Sequence, residues 1–276
     1  MQKSILITGC SSGIGYDCAH FLRESGWRVF ASCRKEADCD RLRDEGFEAP
    51  RIDYEDEDSI ESGLAQVLNA TGGTLDALFN NGAYAIPGAT EDLPRAALRQ
   101  NFEANFFGYH DLTRRVIPVM RKQGHGRILN CSSVLGIAAL RWRGSYNSTK
   151  FAMEGLTDTL RLELRPTNIR VILIQPGPIG TDIRKKSIPH FEKWIDWENS
   201  AVRPLYEKSL IKRLYKEKGK PDGFQLPPRA VSKKVLKALT AKNPASRYKI
   251  TTPTYFVALV RRILPRRAMD NLLARL

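Results

Sequence analysis

The sequence predicts a doubly wound α/β fold, a parallel sheet flanked by helices, and three observations carry that expectation. From residue 3 to about 175, short apolar runs alternate with amphipathic stretches, the pattern of βα units. A glycine-rich turn lies between the first apolar run and the first amphipathic stretch. Later runs end in small polar residues, Asn80-Asn81 and Ser132-Ser133, at the strand ends where open α/β sheets build their sites.

The elements follow in order. Ser4–Ile7 reads as the first strand, and Ile14, Cys18, Phe21 and Leu22 give helical spacing after it, with Gly26 as the stop. Residues 28–32 supply a second strand. Residues 35–45 form a charged helix ended by Gly46, and residues 49–53 a third strand. Residues 59–68 are helical, and residues 75–79 a strand that leads into Asn80-Asn81-Gly82. One long helix is expected over residues 95–122, then a strand at 127–131. Leu156, Leu160 and Leu164 stripe a helix over residues 146–164, and residues 170–175 make a sixth strand. No repeat or low-complexity linker interrupts the 276 residues, so one domain over 1–276 is expected. Within it, residues 178–228, rich in proline, lysine and aromatics, read as a helical lid.

Composition narrows the function classes. A hydrophobic content of 42% suits a chain that buries a sizeable core. No apolar run reaches the roughly 18 residues that span a bilayer, and no secretory signal is read at the start. Cys10, Cys18, Cys33, Cys39 and Cys131 form no CxxC pair; they suit buried small side chains in a reducing cytoplasm, and no metal site is expected. The net charge of +14 is lopsided. Residues 1–180 hold 21 Lys/Arg against 22 Asp/Glu, whereas residues 181–276 hold 23 against 8. Such a segment suits an anionic membrane surface, an acidic partner or nucleic acid, or is simply a solvated face. No nucleic-acid-binding motif accompanies it, which disfavours the third partner.

The turn reads Thr8-Gly9-Cys10-Ser11-Ser12-Gly13-Ile14-Gly15. Gly9, Gly13 and Gly15 let the backbone approach a pyrophosphate, and the amides from Ser11 to Gly15 point at the start of a helix, where an anion is favoured. This is a Rossmann-type dinucleotide site in expectation. At the end of the second strand an acid would hold a ribose 2′-hydroxyl. The chain instead reads Ser32-Cys33-Arg34-Lys35, and Arg34 suits a 2′-phosphate, so NADP(H) is expected as cofactor.

Tyr146 and Lys150 stand at i and i+4, which puts a phenol and an ammonium on one helical face. The charge is expected to lower the tyrosine pKa toward working pH, as a general acid/base requires. Upstream, a strand ends at Ser132-Ser133.

Together these residues resemble the short-chain dehydrogenase/reductase family over roughly residues 3–182. Its motifs occur in order: the glycine loop, Asn80-Asn81-Gly82-Ala83, Asn105 in Asn105-Phe106-Phe107-Gly108, Ser133, Tyr146 with Lys150, and Pro176-Gly177-Pro178-Ile179-Gly180-Thr181. The resemblance implies a tetrad. Tyr146 would exchange the proton, Ser133 would hydrogen-bond the substrate carbonyl, Lys150 would bind the nicotinamide ribose and tune Tyr146, and Asn105 would support a water-linked relay. It also implies Asp53 at the adenine amine, Asn81 near the adenine ribose, and Ile179 and Thr181 near the carboxamide, beside the Pro176-Gly177 turn. One departure stands out: the family usually reads Asn-Asn-Ala-Gly, whereas the glycine here precedes the alanine.

Phe191, Trp194 and Ile195 share a helical face, and Leu135, Ile137, Ala138, Ala139 and Leu140 follow the catalytic serine, with Ile86 and Pro87 after the asparagines. They pack the core or line a cleft for a hydrophobic carbonyl or alcohol: a fatty aldehyde, retinal or a steroid ketone. The chain most resembles the branch of retinol and hydroxysteroid dehydrogenases and bacterial aldehyde reductases, so oxidation of a steroid or retinol is the alternative. A regulatory protein that binds the cofactor without catalysis is a reading of another class, and the intact tetrad argues against it. Family analogy also gives Leu156, Leu160 and Leu164 a homodimer interface. Residues 253–276 alternate apolar and basic clusters, either an amphipathic tail on anionic lipid or a helix packed on the sheet.

Overall fold

The computed structural model describes residues 2–216 and 223–274. Among them, six parallel strands form one sheet in the order β2-β1-β3-β4-β5-β6. They are β1 (Ser4–Ile7), β2 (Arg28–Ala31), β3 (Ala77–Asn80), β4 (Gly126–Cys131), β5 (Ile169–Pro176) and β6 (Arg247–Ile250). The chain begins mid-sheet: β1 pairs with β2 on one side and β3 on the other, so strand order reverses between β1 and β3. A crevice outside the strand C-termini follows from that reversal. Every residue of β1 and β3 is buried, as expected of strands covered on both faces.

The helices are α1 (Gly13–Glu24), α2 (Glu36–Asp44), α3 (Glu57–Thr71), α4 (Arg95–Phe102), α5 (Gly108–Gln123) and α6 (Gly144–Glu163). Beyond β5 come α7 (Ile183–Trp194), α8 (Arg203–Leu205), α9 (Ile211–Leu214), α10 (Arg229–Thr240), α11 (Thr252–Ile263) and α12 (Arg266–Leu273). On one face of the sheet Cys18, Ala19 and Leu22 of α1 meet Val231, Val235 and Leu239 of α10. On the other, Leu64 and Val67 of α3 pack with Leu112, Val116 and Met120 of α5. All five cysteines are free and buried, as their spacing suggested.

Three expectations change. Residues 49–53 form no strand; that stretch makes single bridges, Phe30 to Glu48 and Cys33 to Arg51, beside β2. The sixth strand is β6 rather than residues 170–175, in a stretch for which no element was expected; only Tyr248 and Ile250 of Arg247-Tyr248-Lys249-Ile250 are buried. An edge strand needs no continuous apolar run, so it left only a short alternation. The helix over 95–122 is broken, with α4 and α5 joined by a π-helical turn at Glu103–Phe107. Such turns are rare and occur often at functional sites.

The segment 178–228 carries α7, α8 and α9 wherever it is described; residues 217–222 lie outside the described residues. Phe191 and Ile195 are buried there with Ile86, Tyr206, Leu210 and Leu214, and Trp142, Trp194 and Trp197 pack against them. The tail, described to residue 274, is two-faced. Thr254, Val257 and Met269 are buried, and Val257 and Met269 pack with Ala138, while Tyr255, Phe256, Leu259 and Ile263 are exposed.

Candidate active site

The crevice owes its shape to a buried polar ladder across the strand ends. Tyr54 Oη lies 2.6 Å from Thr8 Oγ1 and donates to Asn80 Oδ1 at 2.7 Å. Asn80 Nδ2 donates to Thr113 Oγ1 and to Asn130 Oδ1, and Asn130 Nδ2 donates to Thr157 Oγ1. Each bond satisfies a polar group that would otherwise cost free energy to bury. Sequence reading passed over Tyr54, Asn130, Thr113 and Thr157, because single polar residues on separate elements leave no spacing.

The glycine loop turns directly into α1. Gly9 and Gly13 have φ of 68° and 63°, where a side chain is strained. A Cβ on Gly15 would come 2.4 Å from the Gly9 carbonyl oxygen. Ser12 caps α1 in position but makes no side-chain capping hydrogen bond, and the first turn carries no acid. The first amides of α1 are thus left to an outside anion, and the loop fits the pyrophosphate of a nicotinamide dinucleotide. Asn81 ties this loop to the end of β3: its side-chain amide donates to the Thr8 and Gly9 carbonyls, and its backbone amide to Thr8 Oγ1. The reordered Gly82-Ala83 is harmless. A Cβ at Gly82 would meet Gly9 at 3.4 Å, ordinary contact, and φ there is not positive.

Arg34 is exposed past the end of β2, and its carbonyl accepts from Arg51 Nε. Asp53 sits beyond that bridge, its Oδ1 accepting from the Glu55 amide. At the far side of the crevice Gly177 admits no side chain: a Cβ would lie 2.1 Å from Thr251 Oγ1. Gly177 donates to the Ile250 carbonyl, Pro178 accepts from Leu226, and Ile179 bridges Leu226. Thr181 lies against Gly13, whose Cβ would come 3.1 Å from its methyl carbon.

The reacting groups gather past β4. Ser133 caps a short 3-10 turn, accepting from the Leu135 amide, and its hydroxyl stands near enough to the Tyr146 phenol to pull its pKa down. The neighbouring Ser132 hydroxyl is buried with no partner among the described residues. Lys150, one turn along α6 from Tyr146, is buried and donates to the Cys131 carbonyl at 2.7 Å, with Nζ 5.4 Å from the Tyr146 ring centroid. Burial pushes the ammonium down to about 8. The phenol departs from expectation: burial, not Lys150, dominates it and pushes it well above its ordinary value, with Ser133 and Arg143 pulling the other way. The ammonium is turned to a carbonyl on β4, so its field on the phenol is outweighed by desolvation.

Asn105 lies in the π-helical turn, fully buried. Its Oδ1 accepts from the Tyr84 amide and its Nδ2 donates to the Tyr84 carbonyl at 2.8 Å. Asn101 donates to that carbonyl too. The side chain expected to support a relay thus clamps the segment after β3, and Tyr84 in turn stacks on His190 of α7 at 4.1 Å between centroids. Asn105, Ser133, Tyr146 and Lys150 are accordingly placed on or beside β4, α6 and the π-helical turn. Among the described residues no group of His, Cys, Asp and Glu could hold a metal ion.

The family model described as short chain dehydrogenase matches residues 3–191. An uncharacterized oxidoreductase of Escherichia coli, YbbO, is 38% identical over 273 residues, 99% of this chain and 94% of its own. A 3-ketodihydrosphingosine reductase of Bacteroides thetaiotaomicron is 32% identical over 251 residues, 89% and 87% of the two chains. Among solved structures, a short-chain dehydrogenase from Streptomyces avermitilis aligns with a TM-score of 0.78 at 26% identity, covering 99% of this chain and 93% of its own. One from Burkholderia phymatum, in complex with NAD, aligns with a TM-score of 0.78 at 24% identity over 99% and 95%.

Proposed function

Since the chain belongs to the short-chain dehydrogenase family, an oxidoreductase family, we propose that it is an NADP(H)-dependent reductase of hydrophobic aldehydes or ketones, with Tyr146 as the acid. The observation that carries the reading is the gathering of Ser133, Tyr146 and Lys150 just past the C-terminal end of β4, with Lys150 Nζ 5.4 Å from the Tyr146 ring centroid. Tyr146 is protonated at neutral pH and placed to donate that proton to a carbonyl oxygen that gains negative charge. The dinucleotide supplies the hydride when bound. Ser133, beside the phenol, fixes the carbonyl oxygen next to it. Lys150 brings a cation of low pKa to the same pocket and holds the cofactor ribose. Asn105 positions Tyr84 and the wall behind it, and joins the proton relay from the π-helical turn.

Arg34 at the end of β2, with no acid there, supports the 2′-phosphate, and Gly9, Ser11, Ser12, Gly13, Ile14 and Gly15 cradle the pyrophosphate. Asp53 and Asn81 then flank the adenosine, and Pro176, Gly177, Ile179 and Thr181 border the nicotinamide. The apolar cluster of Ile86, Phe191, Ile195 and Tyr206 supports a substrate wall, with residues 178–228 as its lid. The lipid-derived ketone in the name of the Bacteroides relative is of the same chemical class. NADPH oxidation against a series of straight-chain aldehydes and apolar ketones is the test; activity confined to charged sugars would defeat the substrate class.

We also read the tail as a peripheral membrane contact. Tyr255, Phe256, Leu259 and Ile263 are 51%, 53%, 59% and 69% exposed along α11, and Arg262, Arg266 and Arg267 are exposed beside them. An apolar stripe flanked by arginines suits anionic lipid. A homodimer through α6 is the oligomer this reading expects, with Leu156 exposed and Leu160 partly so; Leu164 is buried in the core with residues of α3 and α5 and takes no part in that face.

A further inference from the structure

We infer that Lys186 is a ligand of the dinucleotide pyrophosphate, reaching it from α7, so that the bound cofactor fastens the wall of the substrate pocket. The inference rests on the cofactor reading above and adds a residue from outside the glycine loop. Lys186 Nζ lies 2.5 Å from Ser12 Oγ and 3.5 Å from Ser11 Oγ. These are the two serines of the loop whose amides open α1. The ammonium therefore stands beside the positive end of a helix dipole. The surroundings do not neutralise it. The first turn of α1 carries no acid, and Asp17, one residue beyond that turn, is engaged by Arg229 and Ser232. Among the described residues no carboxylate lies within 4.0 Å of Lys186. Arg41 adds another cation, donating to the Ser11 carbonyl at 2.9 Å, though Glu45 already pairs with it. Two positive potentials meeting at one exposed point are unfavourable alone and favourable around an anion.

The consequence reaches the substrate. One and five residues past Lys186, α7 presents Ser187 and Phe191 to the interior, and His190 between them stacks on Tyr84. Thr181, just before α7, rests on Gly13. The helix is thus fixed at its start to the phosphate loop and at its end to the segment that Asn105 clamps. A phosphate that holds Lys186 fastens the start of α7, while the Tyr84–His190 stack already holds its far end, so the pocket wall is set once the cofactor is in place.

The test uses the full chain and three probes: NADPH, ADP-ribose, which keeps the pyrophosphate, and adenosine 2′-monophosphate, which lacks it. Calorimetric titration of Lys186→Ala should show about tenfold weaker binding of NADPH and ADP-ribose, the loss of a charged hydrogen bond. Adenosine 2′-monophosphate should bind as before, and Lys186→Arg should recover most of the loss. In hydrogen exchange, NADPH should protect residues 183–194 of the native chain and protect them less in Lys186→Ala at saturation. Unchanged affinity for NADPH and ADP-ribose overturns the inference, as does an equal loss for all three probes. Failure of the native chain to bind either NADPH or NADH would instead sink the cofactor reading beneath it.

Discussion

Lys150 donates a 2.7 Å hydrogen bond to the carbonyl of Cys131, the last residue of β4, and so holds its charge at a strand end inside the protein. That burial lowers its pKa to about 8, and the direction of a pH effect follows. Below that value the ammonium is present; above it the pocket loses a cation while Tyr146, shifted upward, keeps its proton. Carbonyl reduction should therefore fall as pH rises through about 8, and the acid should not yet be lost there. A kcat/KM profile for reduction that stays flat between about pH 7 and 9.5 would contradict this.

Tyr146→Phe removes the transferable proton and little else. Turnover should drop by about two to four orders of magnitude, while NADPH affinity stays within about twofold. Single-turnover rates with NADPH titration check both halves, and near-native reduction by the variant would remove Tyr146 from the mechanism.

The strand end after β2 decides the cofactor. Arg34→Ala should cost about 1.5–3 kcal/mol of NADPH binding and leave NADH binding nearly unchanged. Parallel fluorescence titrations with the two cofactors read the difference. Equal losses, or a native preference for NADH, would assign Arg34 to the solvated surface.

These predictions draw unequally on the sequence. The glycine loop, Ser133, Tyr146 and Lys150 were legible because each motif is local: a turn, a strand end, one helical face. β6 was not, since its four residues bury only Tyr248 and Ile250 and its pairing with β5 spans more than seventy residues. The ladder from Thr8 through Tyr54 and Asn80 to Asn130 was invisible for the same reason, because the contacts exist only once four elements meet. The direction of the Tyr146 shift was misjudged because spacing reports that a charge is near but not how deeply the phenol is buried. The break in the 95–122 helix was hidden too, since Phe102, Phe106 and Phe107 look like any apolar stretch.

Substrate chain length should register in the kinetics. Each methylene buried in the pocket contributes up to about 0.8 kcal/mol, so kcat/KM should climb up to about fourfold per carbon from propanal toward dodecanal until the pocket is full. Trp194 is half-buried with Lys193 over its ring, and its removal to Ala should flatten the climb. A profile that is flat in the native chain would argue that the apolar cluster packs the fold alone.

For the membrane reading, point substitutions serve better than truncation, because Val257 and Met269 pack the tail against Ala138. Ile263→Glu should cut co-flotation with phosphatidylglycerol vesicles by about tenfold or more, and raising salt should weaken the native interaction. The melting temperature and the rate with a soluble aldehyde should not change. Flotation of native chain and variant alike, or none by either, would reduce the stripe to solvent-facing surface.

The turn that bears Pro176 and Gly177 is closed by a hydrogen bond from Gly177 to Ile250, and Thr251 and Thr254 fill the space a side chain would need. During synthesis the ribosome delivers the glycine loop, the serine, the tyrosine and the lysine long before those partners. The nascent chain can therefore collapse around β1 to β5 and still lack a finished crevice. The crevice is finished only when β6 pairs with β5, and until then β5 presents an unpaired sheet edge of the kind that invites pairing with another chain.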